Sequence, residues 1–471
     1  MEMGCIRPRC EAVHQRTWRR RSVWPAVASS MLAIAALTPG ARAHDPGYIV
    51  HNLGTLPGAT TTIATAVNNK GQVTGYCWYP DTSRWHGFLW EAGSMTDLGP
   101  ALPDTSFLAA GINDHSQVAG WMIDHTTELE QAAVWANGVF TPVIEHPAAQ
   151  RSFANDINNA REVVGSAVVP SLGKELPYLW SNGTARKLAL PDAMVSGQAV
   201  GLSETGDIAG AGWDPTTQTW TAIAWVGPNH TPRNLGSLAA NGSSKATAVS
   251  DIGSVTGWTD VDDANPAAFL YRDGLMTALP SLGGSSAHGN AINEADEVVG
   301  AAWHEGSQDW HATAWRLGVI SNLNGILVPG SEWDSLTEAT DISDIGEIIG
   351  YGRHESGDIQ SFLLEPLLTL TTPIPGNSGE VNTFDCAGAT PGNEVIFVYG
   401  FNWGTFDVPN CPGAVFDIQT PALLDSAIAD ARGHAVFDKL VPSQAKYKVV
   451  IFQAWEPATC DVATAVMWTF Y

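Results

Sequence analysis

The chain has 471 residues, 44% of them hydrophobic, with 23 Lys and Arg against 48 Asp and Glu and a formal charge of -25. That length buries a large core and exceeds a single typical domain, which excludes a disordered tail. A charge of this sign repels phosphate backbones and excludes nucleic acid as a partner. The 19 tryptophans are far above the usual share and need a physical reason.

The first element is a leader. Arg16, Arg19, Arg20 and Arg21 precede an apolar run from Trp24 to Leu37, and Ala41-Arg42-Ala43 follows, the charged, apolar and small-residue pattern of a secretory signal. Cleavage is expected after Ala43, so that 1–43 is a signal peptide and the mature chain is secreted, extracellular or periplasmic. The run of 14 residues is too short to span roughly 30 Å of hydrocarbon, and no later stretch supplies a transmembrane segment. Arg20-Arg21-Ser22-Val23-Trp24 leaves the twin-arginine route open beside the general one. Removing the leader leaves 16 basic and 46 acidic side chains, a net charge of -30. It also removes Cys5 and Cys10, leaving Cys77 and the late cluster Cys386, Cys411 and Cys460. An exported chain meets oxidising conditions, so at least one disulfide is expected in that cluster. No CxxC or Cys/His spacing of a zinc site occurs.

From residue 48 onward a repeat governs the chain. The segments AVNNKGQVTG (66–75), GINDHSQVAG (111–120), DINNAREVVG (156–165), GLSETGDIAG (201–210), AVSDIGSVTG (248–257), AINEADEVVG (291–300) and DISDIGEIIG (341–350) align without gaps. Their final glycines, Gly75, Gly120, Gly165, Gly210, Gly257, Gly300 and Gly350, are spaced 45, 45, 45, 47, 43 and 50. A second series ends at Trp90, Trp135, Trp180, Trp225, Tyr271, Trp315 and Leu364 in fixed phase with the first. Each period holds four short strand-forming runs, the content of one propeller blade. YIVHNLGTL near the start matches only a fourth strand, and SFLLEP (361–366) matches only a third. The expected fold is therefore all-β: a seven-bladed β-propeller over 44–366, closed by an N-terminal strand that removes open edges.

HGFLWEAGSMTDLG (86–99) and AINEADEVVG resemble the unit of the bacterial extracellular repeat family named for its His-Ala-Phe tripeptide, the HAF repeat, and the resemblance covers roughly residues 48–366. His86-Gly87-Phe88 and His311-Ala312-Thr313 are the nearest copies of the tripeptide. The resemblance implies an exported, kelch-like propeller and brings no reaction, cofactor or catalytic residue. After it, 367–379 is rich in Pro, Gly, Thr and Ser and reads as a linker. From 380 to 471 the alternating runs EVIFVYG, AVFDI, HAVFDKL, YKVVIFQAW and AVMWTF suit a small β-sandwich. Cys411 and Cys460 are the expected disulfide there, with Cys386 the competitor.

Candidate sites follow from phase. The segments between second and third strands, from 76–86 to 351–360, are expected to be loops gathered on one rim, rich in carboxylates and tryptophan. Trp90, Trp135, Trp180, Trp225 and Trp315 read as core, and Trp78, Trp121, Trp213, Trp258 and Trp303 as packing between blades. Trp85, Trp220 and Trp310 lie off that phase and are the candidate ligand-stacking rings, beside carboxylates that accept hydrogen bonds as a carbohydrate requires. His304, Glu305 and Asp309, and again His354, Glu355 and Asp358, are the candidates for general acid/base or metal chemistry. Asp260-Val261-Asp262-Asp263 resembles a calcium loop but lacks its Gly and distal Glu. Calcium is thus the one cofactor considered, and none is expected. The reading is a secreted, monomeric, non-catalytic protein that binds a carbohydrate or cell-surface component through the propeller rim. A glycan hydrolase or lyase on the same rim and a purely structural envelope protein are the alternatives.

Overall fold

The computed structural model describes residues 48–471 apart from 100–103, 145–147, 262–264, 317, 328–329, 412–413 and 431–432. The expected signal peptide and its cleavage site lie outside the described residues. Among these residues the chain is all β, with three short 3₁₀ turns and no α-helix.

The first repeat forms the strands Thr61–Val67, Val73–Tyr79, Arg84–Glu91 and Ser94–Gly99, paired in that order and antiparallel. The same four-strand unit recurs through residue 322, two of the units being joined edge to edge at the single pairing of Arg151 with Glu130. The last unit takes three strands from Trp333–Ile342, Ile348–His354 and Ile359–Pro366. Its fourth is Tyr48–Asn52, running from Tyr48 opposite Pro366 to Asn52 opposite Phe362.

The conserved phase of the glycines has a steric cause. The first strand of each unit bulges where it meets the repeat glycine, between Ala64 and Ala66 in the first unit. A Cβ on Gly75 would lie 2.0 Å from the Ile63 carbonyl oxygen, and one on Gly165 would lie 1.8 Å from that of Phe153. Any side chain at these positions would push the first two strands apart. The turns that precede the glycines are capped by their own Asn or Ser: Asn68 Oδ1 accepts the amides of Lys70 and Gln72, both at 3.0 Å. Asn68 Nδ2 then donates to the Asn113 carbonyl of the next unit at 3.0 Å, and Asn113 and Asn158 repeat the contact onward. Each of these asparagines thus shapes its own turn and stitches it to its neighbour, whereas Ser203, Ser250 and Ser343 cap their own turns only.

Among the tryptophans of the third strands, Trp225 and Trp315 are buried and donate to the Ala189 and Pro280 carbonyls of the preceding connections. Trp90 is also buried, whereas Trp135 and Trp180 are half-buried, a correction to their reading as core.

The C-terminal region has two facing sheets. One contains Thr369–Leu370, Val381–Ala387 and Ala435–Leu440; the other contains Ala422–Ile428, Glu394–Gly400 and Val449–Glu456, with Val466–Thr469 on the last of these. Phe384, Phe397, Phe452 and Phe470 fill the space between them. The Pro- and Gly-rich segment expected to be a linker belongs to this fold. Leu368 and Leu370 are buried in its core, and Asn382 Oδ1 accepts the amides of Gly376 and Asn377. Cys411 and Cys460 form a disulfide with Cα atoms 5.4 Å apart, and Cys386 is a buried thiol.

The two regions meet at the ends of the sixth and seventh units. Arg316, on a third strand, pairs with Glu297 at 2.5 Å and with Asp417 of the C-terminal region at 3.8 Å, and donates to Thr464 at 3.3 Å. Both carboxylates are buried, and Arg316 is half-buried. Burial pushes Asp417 up to about 6 although Arg316 opposes it.

Candidate functional site

Two ends of the array differ in kind. At the end of the capped turns, one cavity of about 150 Å³ is lined by residues from all seven units. Its floor is aliphatic, with one Val, Ile or Leu per unit from Val67 to Ile342, and its rim is Asn69, Asp114, Glu204, Asp251, Glu294 and Asp344, with Asn159 alongside. These seven follow the capping Asn or Ser in every repeat. The sequence displays the column, always amide or carboxylate, but its role was not apparent until the units were placed side by side. The oxygens are spent on neighbouring amides: Asn69 N–H donates to Asp114 at 3.1 Å, Asp114 to Asn159 at 2.8 Å, Glu204 to Asp251 at 2.6 Å, and Asp344 back to Asn69 at 3.0 Å. Among the described residues no group of three or more His, Cys, Asp or Glu is arranged to hold a metal ion. Burial, then Asp344 and Asp251, push Glu294 up to about 8. Burial holds Asp156 and Asp341, one layer further in, at about 7 even though each accepts two backbone amides. This end is a ring of turns stitched by hydrogen bonds, and part of it faces Ala465 to Trp468 of the C-terminal region across a cavity of about 360 Å³.

At the opposite end lie the connections between second and third strands, which are not the long loops expected. The strands run on and close through four-residue turns, as between Tyr79 and Arg84, Asp214 and Thr219, and His304 and Asp309. Trp85, Trp220 and Trp310 are therefore strand residues, directly opposite Trp78, Trp213 and Trp303. Their ring centroids are 4.9, 5.7 and 5.9 Å from those partners. The reading that their phase frees them from packing is corrected: a four-residue turn sets residues seven apart on one face, so each pair is a half-buried indole dyad.

The two histidine motifs also find a different role. His304 Nδ1 accepts the Ser307 amide and His354 Nδ1 the Ser356 amide, each at 3.1 Å. Asp124 and Asp214 end the corresponding strands and do the same for Thr126 and Thr216. The His is a turn cap at a position where other units use Asp. Glu305, Asp309, Glu355 and Asp358 are exposed around it. Ser307, His311 and Asn322 mimic a nucleophile, base and orienter, with Ser307 Oγ 2.8 Å from His311 Nε2. However, Asn322 Oδ1 accepts the Asn324 amide at 3.0 Å, which turns its Nδ2 toward His311 Nδ1 at 2.9 Å. Asn322 Oδ1 lies farther from Nδ1, at 3.3 Å, so the shorter contact favours Nδ1 as acceptor and Nε2 as the protonated nitrogen, the wrong tautomer for a base. Asp260 Oδ2 accepts the Ser243 amide at 2.7 Å; Asp262 and Asp263 lie outside the described residues.

A further row was overlooked in the sequence. Three residues ahead of the first position of each aligned repeat segment, Ala66 to Asp341, the first strands carry Ile63, Leu108, Phe153, Gln198, Lys245, His288 and Glu338, apolar in three units and polar in the next four. Lys245 Nζ donates to Gln198 at 2.9 Å, which donates to Glu175 at 2.7 Å. Burial lowers the Lys245 pKa. Glu338 is contacted by His288 at 3.1 Å, Tyr351 Oη at 2.7 Å and Asn290 at 2.9 Å. Burial pushes that carboxyl upward, yet these hydrogen bonds hold it below its ordinary value. The Trp310 ring lies 5.1 Å from the His288 ring, joining an indole dyad to this polar sector.

No family model and no curated protein matches the chain. Solved structures similar to it include TolB from Acinetobacter baumannii, at 10% identity over 57% of this chain and 65% of that one, TM-score 0.38. A putative TolB from Agrobacterium tumefaciens matches at 12% over 57% and 93%, TM-score 0.37. The β-propeller domain of the Trilobed protease from Pyrococcus furiosus matches at 11% over 57% and 100%, TM-score 0.34. The class so defined is an all-β repeat protein whose structural neighbours are β-propeller proteins. At this identity they bring no activity, substrate or partner to the chain. Among the described residues no helix is long and apolar enough to cross a membrane.

Proposed function

We propose that this is an exported, monomeric, non-catalytic binding protein of the His-Ala-Phe repeat type: a seven-bladed propeller closed by Tyr48–Asn52, followed by a β-sandwich. Its recognition face is the hairpin end, and its ligand is a carbohydrate. The observation that carries this reading is the joining of Trp310 to the polar sector of His288, Glu338, Tyr351 and Asn290. An indole face stacks on the C–H groups of a sugar ring while carboxylate, imidazole and amide groups meet its hydroxyls. The hairpin end is also the one remote from the capped turns that face the C-terminal region.

The test is a glycan array with the intact protein, followed by titration of the best glycan against Trp310→Ala and His288→Ala. Loss of a central aromatic contact costs on the order of 2 kcal/mol, about thirtyfold in affinity. Binding that survives in both variants, or no glycan bound at all, overturns the carbohydrate reading.

A further inference from the structure

The C-terminal region contains a groove of about 760 Å³ that the reading above does not use. It lies between the two sheets. Its floor is Phe384, Phe452 and Phe470, core residues that are 1 to 4% exposed, and its lip is Phe401, Leu423 and Leu440, exposed at 61, 69 and 63%. Large apolar side chains left this open, continuous with a core, mark a place where something apolar binds. The depth favours a small ligand over a flat protein contact, and the volume lies within the usual range for one.

Charge selects the ligand. The chain has only seven lysines, and three of them, Lys439, Lys446 and Lys448, lie in or beside this groove of a strongly acidic protein. Lys439 is held by Asp425 at 2.9 Å and by the Leu424 carbonyl at 2.7 Å. Lys446 sits over the Tyr447 ring at 5.0 Å. Among the described residues Lys446 and Lys448 make no ion pair, and Lys448 lines the groove. An apolar trough with a free cation at its edge is complementary to a molecule with one hydrocarbon tail and one anionic head.

We propose that this groove binds a single-chain anionic amphiphile, its tail against Phe384, Phe452 and Phe470 and its carboxylate at Lys448. The proposal is independent of the carbohydrate reading, since it concerns the other region of the molecule.

The test is calorimetric titration of the intact protein with monomeric decanoate, dodecanoate and tetradecanoate, and with dodecyltrimethylammonium as the cationic counterpart. Affinity should rise on the order of threefold per added methylene. Dodecanoate should bind about tenfold or more tightly than the cation. Lys448→Glu, at an exposed site where folding is not at stake, should reverse that preference, and Leu423→Asp should weaken every chain length. Unchanged melting of both variants verifies that the fold is retained. No dodecanoate binding, no dependence on chain length, or a Lys448→Glu protein with wild-type preference would overturn it. So would flotation with phosphatidylglycerol vesicles, or a dimer in sedimentation, without dodecanoate binding, since the groove would then serve a membrane or a second copy.

Discussion

The repeat array and the C-terminal region use apolar surface in opposite ways. In the array every unit covers the next, and polar groups at the joints are answered by the neighbouring copy, as Asn68 is by Asn113. In the C-terminal region the core is two unrepeated clusters, one around Phe384 and Phe397 and one around Phe416 and Trp455, and eleven of the twenty large apolar side chains exposed among the described residues lie between Ile374 and Tyr471. Repetition solves burial once and applies the solution seven times. A single pair of facing sheets has no repeated copy to close its open end, and that end is where the groove lies. The difference teaches that stability in the array is collective, whereas in the C-terminal region it is local.

The sharpest way to break this contrast is to open the array. Deleting 44–54 removes the strand opposite Ile359–Pro366 and exposes two sheet edges. The array should lose its single cooperative unfolding transition, while the Cys411–Cys460 region should keep its own; calorimetry checks this, and a truncated chain that melts like the parent refutes collective stability. The next effect concerns the joint between regions. Arg316→Met leaves Glu297 and Asp417 buried without their cation, a loss expected at about 3–5 kcal/mol near pH 8. The loss should shrink at pH 5, where Asp417, already pushed up to about 6, takes a proton. Denaturant melts at the two pH values decide this, and equal losses would show that Asp417 does not take up a proton over this interval.

A smaller effect separates the two kinds of glycine in the array. Gly165→Ala drives a methyl group to 1.8 Å from the Phe153 carbonyl and should cost roughly 1–3 kcal/mol or more. Gly138→Ala meets open space in a turn at φ +81° and should cost only about 1 kcal/mol, for backbone strain alone. Equal losses in denaturant melts would remove the steric account of the repeat glycine. The smallest effect is the pH dependence of the array. Burial raises Asp156, Asp341 and Glu347 to about 7, so the folded chain holds protons that the unfolded chain has released above about pH 4. Stability from these groups is therefore greatest below the unfolded pKa and declines as pH rises toward 7. The melting temperature should fall by roughly 2–5 °C between pH 5 and pH 8, and Asp156→Asn with Asp341→Asn should flatten the slope. A melting temperature that rises over this interval contradicts the assignment.

Much of the array was legible because its causes repeat. The glycine column, the capping Asn or Ser and the unmatched half-units at 48–52 and 361–366 all stand in the alignment, each enforced by a contact every unit must make. The rim was misread because parity was followed along single strands. Trp78 and Trp85, Trp213 and Trp220, and Trp303 and Trp310 are each seven apart, and with a four-residue turn that spacing alone sets them face to face. The histidines misled for a related reason: a residue that caps a turn and one that moves protons present the same letters, and comparison with Asp124 and Asp214 tells them apart. In the C-terminal region no second copy exists to compare. Leu368 and Leu370 hid their burial inside a Pro- and Gly-rich stretch, and the groove is assembled from segments far apart in the sequence.

Closure of the array by its N-terminal strand is the claim on which the contrast rests, and hydrogen exchange of the intact protein tests it most directly. Amides of Tyr48–Asn52 should exchange as slowly as those of Ser361 to Glu365 and of the third and fourth strands in the other units, and all should open together as denaturant is raised. Fast exchange at 48–52, with the strand it faces still protected, would mean that the array is open at this point and that its stability is not collective.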